Sequence, residues 1–253
     1  MTSDILRQDS KLYAVTLEDR LVCLDVKTGK FLWSFASGFS NPDFHFNSMP
    51  ALAKDRIFFG GLNGILYALD TGSGKTLWKR DLGARISTSV IVAGDSVFAG
   101  AVNKHLYRVS AGEGTIVGDV TFDAEPGGRL VNAGGDVLLA FVGEKTLAVV
   151  ALPGMKPRWI QKAAISWSSA RPYVWNDFFL AGNDQGEIFA FRLTDGVAVW
   201  SETFEGVIRG IGSAAEILYV GTLKGLVYAW SPAATGIAPP SERHGQRLDK
   251  GSP

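Results

Sequence analysis

Ile65-Leu-Tyr-Ala-Leu-Asp-Thr-Gly-Ser-Gly-Lys-Thr-Leu-Trp78 reads as an apolar strand, a glycine-rich turn and the opening of a second strand, and it recurs along the chain. Leu21-Val-Cys-Leu-Asp25 leads through Thr28-Gly29-Lys30 to Leu32-Trp33, and Ile188-Phe-Ala-Phe-Arg192 leads through Thr194-Asp195-Gly196 to Val199-Trp200. Weaker copies run from Leu147-Ala-Val-Val-Ala151 through Pro153-Gly154 to Trp159, and from His105-Leu-Tyr-Arg-Val109 through Gly112 to Gly118, which stands where the tryptophan is expected. Val227-Tyr-Ala-Trp230 opens a sixth copy. The tryptophans at 33, 78, 159 and 200 are separated by 45, then 81 (two periods), then 41 residues. Two short strand signals precede each repeat; in the second unit they are Ala51-Leu52-Ala53 and Ile57-Phe58-Phe59-Gly60. Four short strands in roughly 40 to 45 residues predict a propeller blade, and the Gly/Asp/Asn turns leave no stretch of about 10 to 12 residues for a helical repeat.

The sequence therefore predicts an all-β propeller of about six four-stranded blades, near 4–35, 48–80, 88–121, 129–161, 169–203 and 209–237, forming a single domain over 1–237. Pro239-Pro240 falls where the outer strand of the sixth blade belongs, and proline cannot donate to a sheet ladder, so that blade is expected to be incomplete. The polar tail over 238–253 is expected to be disordered. With 30 Gly, 7 Trp and 15 Phe, 46 % hydrophobic and 20 % charged residues, the composition suits a turn-rich globular β protein. The 25 basic residues balance 25 acidic ones, which argues against an electrostatic nucleic-acid surface. No apolar stretch approaches the roughly 18 residues of a membrane-spanning helix, so no membrane insertion is expected. Met1-Thr-Ser-Asp-Ile-Leu-Arg7 lacks the apolar region of a signal peptide. Cys23 is the sole cysteine and reads as a buried apolar residue.

The pattern Leu-Tyr-Ala-Leu-Asp-x-x-x-Gly-Lys-x-Leu-Trp resembles the tryptophan-docking repeat of quinoprotein-type (PQQ-like) propellers, over about residues 5–236. That family includes quinone-dependent alcohol dehydrogenases and the non-catalytic propeller lipoprotein of the outer-membrane β-barrel assembly machinery, to which the chain is closest in character. The resemblance implies that each tryptophan lies flat between blades near the small residue of a third strand, Trp78 with Ala68 and Trp200 with Ala190, and that Gly118 forfeits this docking. It also implies a periplasmic or cell-envelope setting, or a cytoplasmic one if the chain is complete. Many members have eight blades, so the chain is either a six-bladed ring or part of a longer propeller. The first blade is expected to begin with a truncated inner strand.

Catalytic motifs fare poorly. Gly72-Ser-Gly-Lys-Thr76 ends like a phosphate-binding loop, but Leu69 stands where the loop's first glycine is needed, and the segment lies between two strands. Family dehydrogenases are implied to hold quinone under a vicinal disulfide beside calcium. One cysteine excludes that disulfide, and Asp43, Asp123 and Glu125 lack ligand spacing. His45, His105 and His244 are isolated and suggest no metal site. No cofactor is therefore expected, and the chain reads as a non-catalytic scaffold or sensor for a protein or peptide; the alternative is a quinone-dependent dehydrogenase or a small-molecule binder using the central funnel.

One constellation suggests binding. Aligning the blades on Asp55, Asp95, Asp136, Asp177 and Glu216 places cations at each inter-blade loop: His45, Arg85, Arg129, Arg171 and Arg209. Such a set suits carboxylate or phosphate groups at a channel mouth; the plainer alternative is local pairing with acids such as Asp123, Glu125 or Glu205. Phe44, Phe46, Trp167, Tyr173 and Trp175 lie near the same loops as candidate interface aromatics, or as packing beneath them. The loop from Gly38 to Ser48 is the longest departure from the repeat and a candidate carrier of function.

Overall fold

Sheet after sheet of the computed structural model is a four-stranded meander whose strands neighbour one another in chain order. The structure describes residues 5–16, 18–39, 48–134, 136–152, 154–167, 170, 172–214, 217–230 and 246–247. The first blade is β1 (Leu6–Gln8), β2 (Lys11–Val15), β3 (Arg20–Asp25) and β4 (Phe31–Ala36), and the second is β5 (Ala51–Ala53), β6 (Arg56–Gly60), β7 (Ile65–Asp70) and β8 (Thr76–Asp81). The third is β9 (Ile91–Ala93), β10 (Ser96–Gly100), β11 (His105–Ser110) and β12 (Ile116–Thr121). The fourth is β13 (Pro126–Gly134), β14 (Val137–Val142), β15 (Thr146–Ala151) and β16 (Lys156–Lys162). The fifth is β17 (Tyr173–Trp175), β18 (Phe178–Gly182), β19 (Glu187–Arg192) and β20 (Ala198–Thr203). The sixth has β21 (Ile208–Ala214), β22 (Ile217–Thr222) and β23 (Val227–Trp230), with only the two-residue β24 (Gln246–Arg247) outside them, beside Tyr228 and Ala229. The last blade is thus incomplete as expected. Pro239-Pro240 and the rest of the tail lie outside the described residues. The lead strand β1 is not truncated: at three residues it matches β5, β9 and β17.

Burial explains the composition of each strand. The middle strands are covered on both faces, so β6 and β7 run as Ile57-Phe58-Phe59 and Leu66-Tyr67-Ala68-Leu69 with no polar alternation. Outer strands such as β8 are covered on one face and alternate Trp78 with exposed Leu77 and Lys79. In the first two blades the turn between third and fourth strands is closed by a side chain. Asp70 Oδ1 accepts the Ser73 N–H at 2.7 Å and its hydroxyl at 2.6 Å, and Asp25 does the same with Thr28. These hydrogen bonds hold both carboxyls below the usual range. A bulge beyond the turn sets the register that pairs Ala68 with Trp78, Cys23 with Trp33 and Ala190 with Trp200.

The tryptophans then dock on the next blade in one repeated geometry. Trp33 Nε1 donates to Thr71 O (3.2 Å), Trp78 Nε1 to Ala111 O (3.1 Å) and Trp159 Nε1 to Leu193 O (3.1 Å). Three residues after each acceptor stands a glycine with φ near +70°: Gly74, Gly114 and Gly196. A Cβ there would lie 2.6 to 2.7 Å from the indole ring, so the position needs glycine both for its backbone and for the ring above it.

Between the third and fourth blades the pair is exchanged, which corrects the expectation that Gly118 forfeits docking. Met155 occupies the glycine position of the fourth blade's turn with φ +52°, is 4 % exposed, and its Cγ would lie 3.3 Å from a Cβ on Gly118. The bulk comes from the turn instead of from the strand.

The chain packs as two compact units, Met1–Gly143 with Val150–Pro157, and Glu144–Val149 with Arg158–Pro253. In the first, one core joins Tyr13, Leu21 and Cys23 to Ile57, Phe59 and Leu69, and another joins Phe58, Leu66 and Ala68 to Ile86, Val97 and Val109. In the second, Leu180, Ala190 and Trp200 pack on Ile208, Leu218 and Trp230.

Candidate functional site

The segments leading into the third and fourth blades form a hydroxyl-lined seam. The Ser89 N–H donates to Gly128 O (2.8 Å) and the Val90 N–H to Met49 O (2.8 Å), so the inner segments of three blades are stitched together. Ser87 Oγ donates to Pro126 O (2.6 Å), Ser89 Oγ accepts the Leu130 N–H (2.9 Å), and Thr88 Oγ1 accepts the Gly100 N–H (2.7 Å). All three side chains are buried. Short hydroxyls suit this place because backbone groups here lie beyond the sheet ladders and must still be satisfied.

Arg85 and Arg129 flank this seam. Arg85 lies two residues before Ser87 and its carbonyl accepts the Val102 N–H (3.0 Å), while Arg129 sits between Gly128 and Leu130 in β13. Both are half-buried members of the first unit; Arg209 is exposed on β21 of the second. All three are engaged by interactions within the chain. His45, Arg171, Phe44 and Phe46 lie outside the described residues. The remaining aromatics are packed. Trp167 is 9 % exposed and meets Phe189 and Phe191 edge-on at 5.9 and 5.8 Å. The Tyr173 hydroxyl lies 2.7 Å from Ser213 Oγ, and Tyr173 and Trp175 pack against the core of the fifth and sixth blades.

Asp19 is a site the repeat did not signal. Its carboxylate is wholly buried between the first two blades, where Oδ2 accepts the Leu62 N–H at 2.9 Å and the Ser37 hydroxyl. Oδ1 is buried without a partner among the described residues. In other blades the N–H equivalent to that of Leu62 goes to a backbone carbonyl of the incoming loop: Val102 to Arg85 O, Asp184 to Ser166 O and Leu223 to Val207 O. A side chain does this work in the second blade. Burial raises the carboxyl above its ordinary value of 3.8, against the pull of its two donors.

The chain's chemistry does not fit the vicinal-disulfide quinone site implied by the dehydrogenases. Cys23 is fully buried in β3, and burial pushes its thiol up. His105 is turned to Asp119, with Nδ1 2.7 Å from Oδ2, and stacks on Tyr107.

A family model described as outer membrane protein assembly factor BamB matches residues 19–236. Among curated proteins, the quinohemoprotein alcohol dehydrogenase ADH IIB of Pseudomonas putida is 32 % identical over 75 residues, 27 % of this chain and 11 % of its own. The outer membrane protein assembly factor BamB of Francisella tularensis subsp. tularensis is 37 % identical over 59 residues, 23 % of this chain and 13 % of its own. The matched stretches thus span a small part of the relatives' lengths. Among solved structures, BamB from Moraxella catarrhalis superposes with a TM-score of 0.77 at 16 % identity, covering 92 % of this chain and 70 % of that one. The computationally designed Ika8 protein gives 0.76 at 13 % identity, covering 91 % and 70 %. These likenesses show the fold.

Proposed function

We propose, from the premise that this chain belongs to the family of the outer membrane protein assembly factor BamB, that it is a non-catalytic propeller serving as a binding platform for a protein or peptide. The observation that carries this reading is the family match across 19–236, nearly every described blade. It agrees with a chain whose single thiol is buried and whose His105 is held by Asp119. The family's name places its members in the assembly of outer membrane proteins, and an extended polypeptide is the occupant we assign to the platform.

Of the cation set His45, Arg85, Arg129, Arg171 and Arg209, the contacts we propose are those of the first unit, Arg85 and Arg129. Guanidinium stays charged at any working pH and forms forked contacts with oxyanions, so a carboxylate-bearing segment is the matching chemistry. Anisotropy titration with a fluorescent acidic peptide tests it. Arg85→Ala with Arg129→Ala should weaken binding by about tenfold or more, with the melting temperature little changed. A large fall in stability would mark them as structural ion-pair residues and end this assignment. The competing reading, a quinone-dependent dehydrogenase, is separated by calorimetric titration with quinone plus calcium and a dye-linked alcohol oxidation assay. Saturable quinone binding with turnover would replace the platform reading.

A further inference from the structure

The first two blade joints carry a cation at one fixed place, the first residue of the second strand, and the third does not; Val137 and Phe178 stand there in the fourth and fifth blades. At the first joint the place is Lys11, whose Nζ donates to Thr71 O (3.3 Å), the same carbonyl that accepts the Trp33 indole. At the second it is Arg56, which donates to Ala111 O (2.7 Å) and Gly112 O (2.8 Å), beside the Trp78 indole on Ala111 O. At the third it is Ser96, a buried serine. The loss is not isolated, because Gly118 replaces the tryptophan and Arg108 replaces the small residue equivalent to Ala68 at the same joint. The groove left behind measures about 470 Å³, against about 210 Å³ at the second joint, where Arg56 is in place.

The lining defines what the groove takes. Phe98, 1 % exposed, is its apolar floor, and Leu152 stands at the place of Ala111, whose carbonyl receives Arg56 at the second joint. Asp95, equivalent to Asp55, and Asp136 are exposed carboxylates of the lining. Arg108 forms a wall, with Nε donating to Ser96 Oγ at 2.8 Å. Two carboxylates against one guanidinium leave the lining with excess negative charge at neutral pH. The volume lies within the range of sites that accept small ligands or single anchoring side chains.

We infer that the groove between the third and fourth blades receives a guanidinium-bearing side chain, an arginine presented by an extended partner peptide. The molecule contains the pattern for this occupant: Arg56 fills the equivalent groove one blade earlier, with carbonyl oxygens as acceptors and Asp55 3.9 Å from its Nε. Arginine is the residue type that combines an apolar stem for the Phe98 floor with a planar fork for carbonyl and carboxylate oxygens. The inference rests on the platform reading and gives one station of it a defined chemistry, opposite in charge to the arginine set.

The test titrates the full chain with acetyl-Gly-Arg-Gly-amide and with its citrulline counterpart, followed by amide NMR shifts. The arginine peptide should shift Gly94, Asp95, Ser96 and Asp136 saturably, and the uncharged citrulline peptide should not. Asp95→Asn with Asp136→Asn should weaken binding about tenfold. Ser96→Arg restores the internal plug and should abolish binding while leaving the melting temperature unlowered. Equal binding of the citrulline peptide, shifts confined to other residues, or undiminished binding to Ser96→Arg would each overturn the inference. If the aspartate double variant does not fold, the Ser96→Arg and citrulline arms still decide. Acidic-peptide binding that survives a failure here would remove the groove and leave the platform standing.

Discussion

Met155 holds a left-handed backbone where four other turns use glycine, and the strand residue it meets, Gly118, has given up its side chain. The strain of such a conformation is about 1 kcal/mol, and it is offset by the packing of a buried thioether in the space an indole would take. Met155→Gly should therefore destabilise by about 2 kcal/mol in denaturant melts, the cavity outweighing the relieved strain. Gly118→Trp alone should also destabilise, because its added atoms meet Met155. Combined, the two changes recreate the other joints, so the double variant should be more stable than their sum; simple additivity would mean that the residues do not exchange roles. Asp19 makes a second residue-scale prediction. Its folded pKa is raised, so the native state binds the proton more readily than the unfolded chain. The stability from this group is fully present below its ordinary value of 3.8 and is lost as pH rises through the raised folded value. Asp19→Asn keeps an acceptor for Leu62 and tolerates the φ of +55°. It should remove that part of the pH dependence and raise stability at neutral pH, as read from melts between pH 3 and 7; an unchanged pH profile would refute the assignment.

At the scale of elements, a third strand, its turn and the outer strand act as one docking device. Asp70, Ser73 and Gly74 fix the turn, the bulge fixes the register, and the register brings Trp78 to the next blade. The fifth blade uses the device differently. Trp200 stacks on Trp230 at 4.6 Å, and its Nε1 is buried with no partner among the described residues. Phenylalanine keeps most of the ring and deletes the donor, so the two sites should respond oppositely. Trp78→Phe should lose the bond to Ala111 O, about 1 kcal/mol, whereas Trp200→Phe should be neutral or stabilising because an unsatisfied group is removed. Matched losses at both sites would show that the Trp200 indole N–H is satisfied after all.

At the scale of the molecule, repetition makes stability a sum of blades and joints. The Trp33 joint of the first two blades and the Trp159 joint of the fourth and fifth share no docking residue. Alanine at both positions should cost the sum of the single losses to within about 0.5 kcal/mol; a larger coupling would reveal cooperativity that reaches beyond neighbouring joints. Function at this scale rests on departures from the repeat. Where blades obey it, side chains such as Trp78 and Arg56 are consumed in holding the joint, and where they break it, as at Ser96, lining groups are left for a ligand.

The sequence by itself determined the all-β repeat, the six-blade count, the incomplete last blade and the pairing of Trp78 with Ala68 and Trp200 with Ala190. These follow from local chemistry: alternation, turn residues and a period that any single copy displays. Four arginines and His45 recur at the inter-blade loops as a pattern in the sequence, but a pattern of residue types does not say what surrounds each side chain. Asp19 gave no signal in the sequence because its N–H partner Leu62 lies 43 positions away. Gly118 looked like a lost docking because its replacement, Met155, belongs to the next repeat and to a different residue type. The groove over Phe98 depends on Ser96, Arg108 and Leu152, each unremarkable within its own strand or turn. Only the tertiary structure could decide these points, because the contact across a joint is set by the packing of neighbouring blades, and a side chain's worth there depends on the partner that the next repeat brings to it.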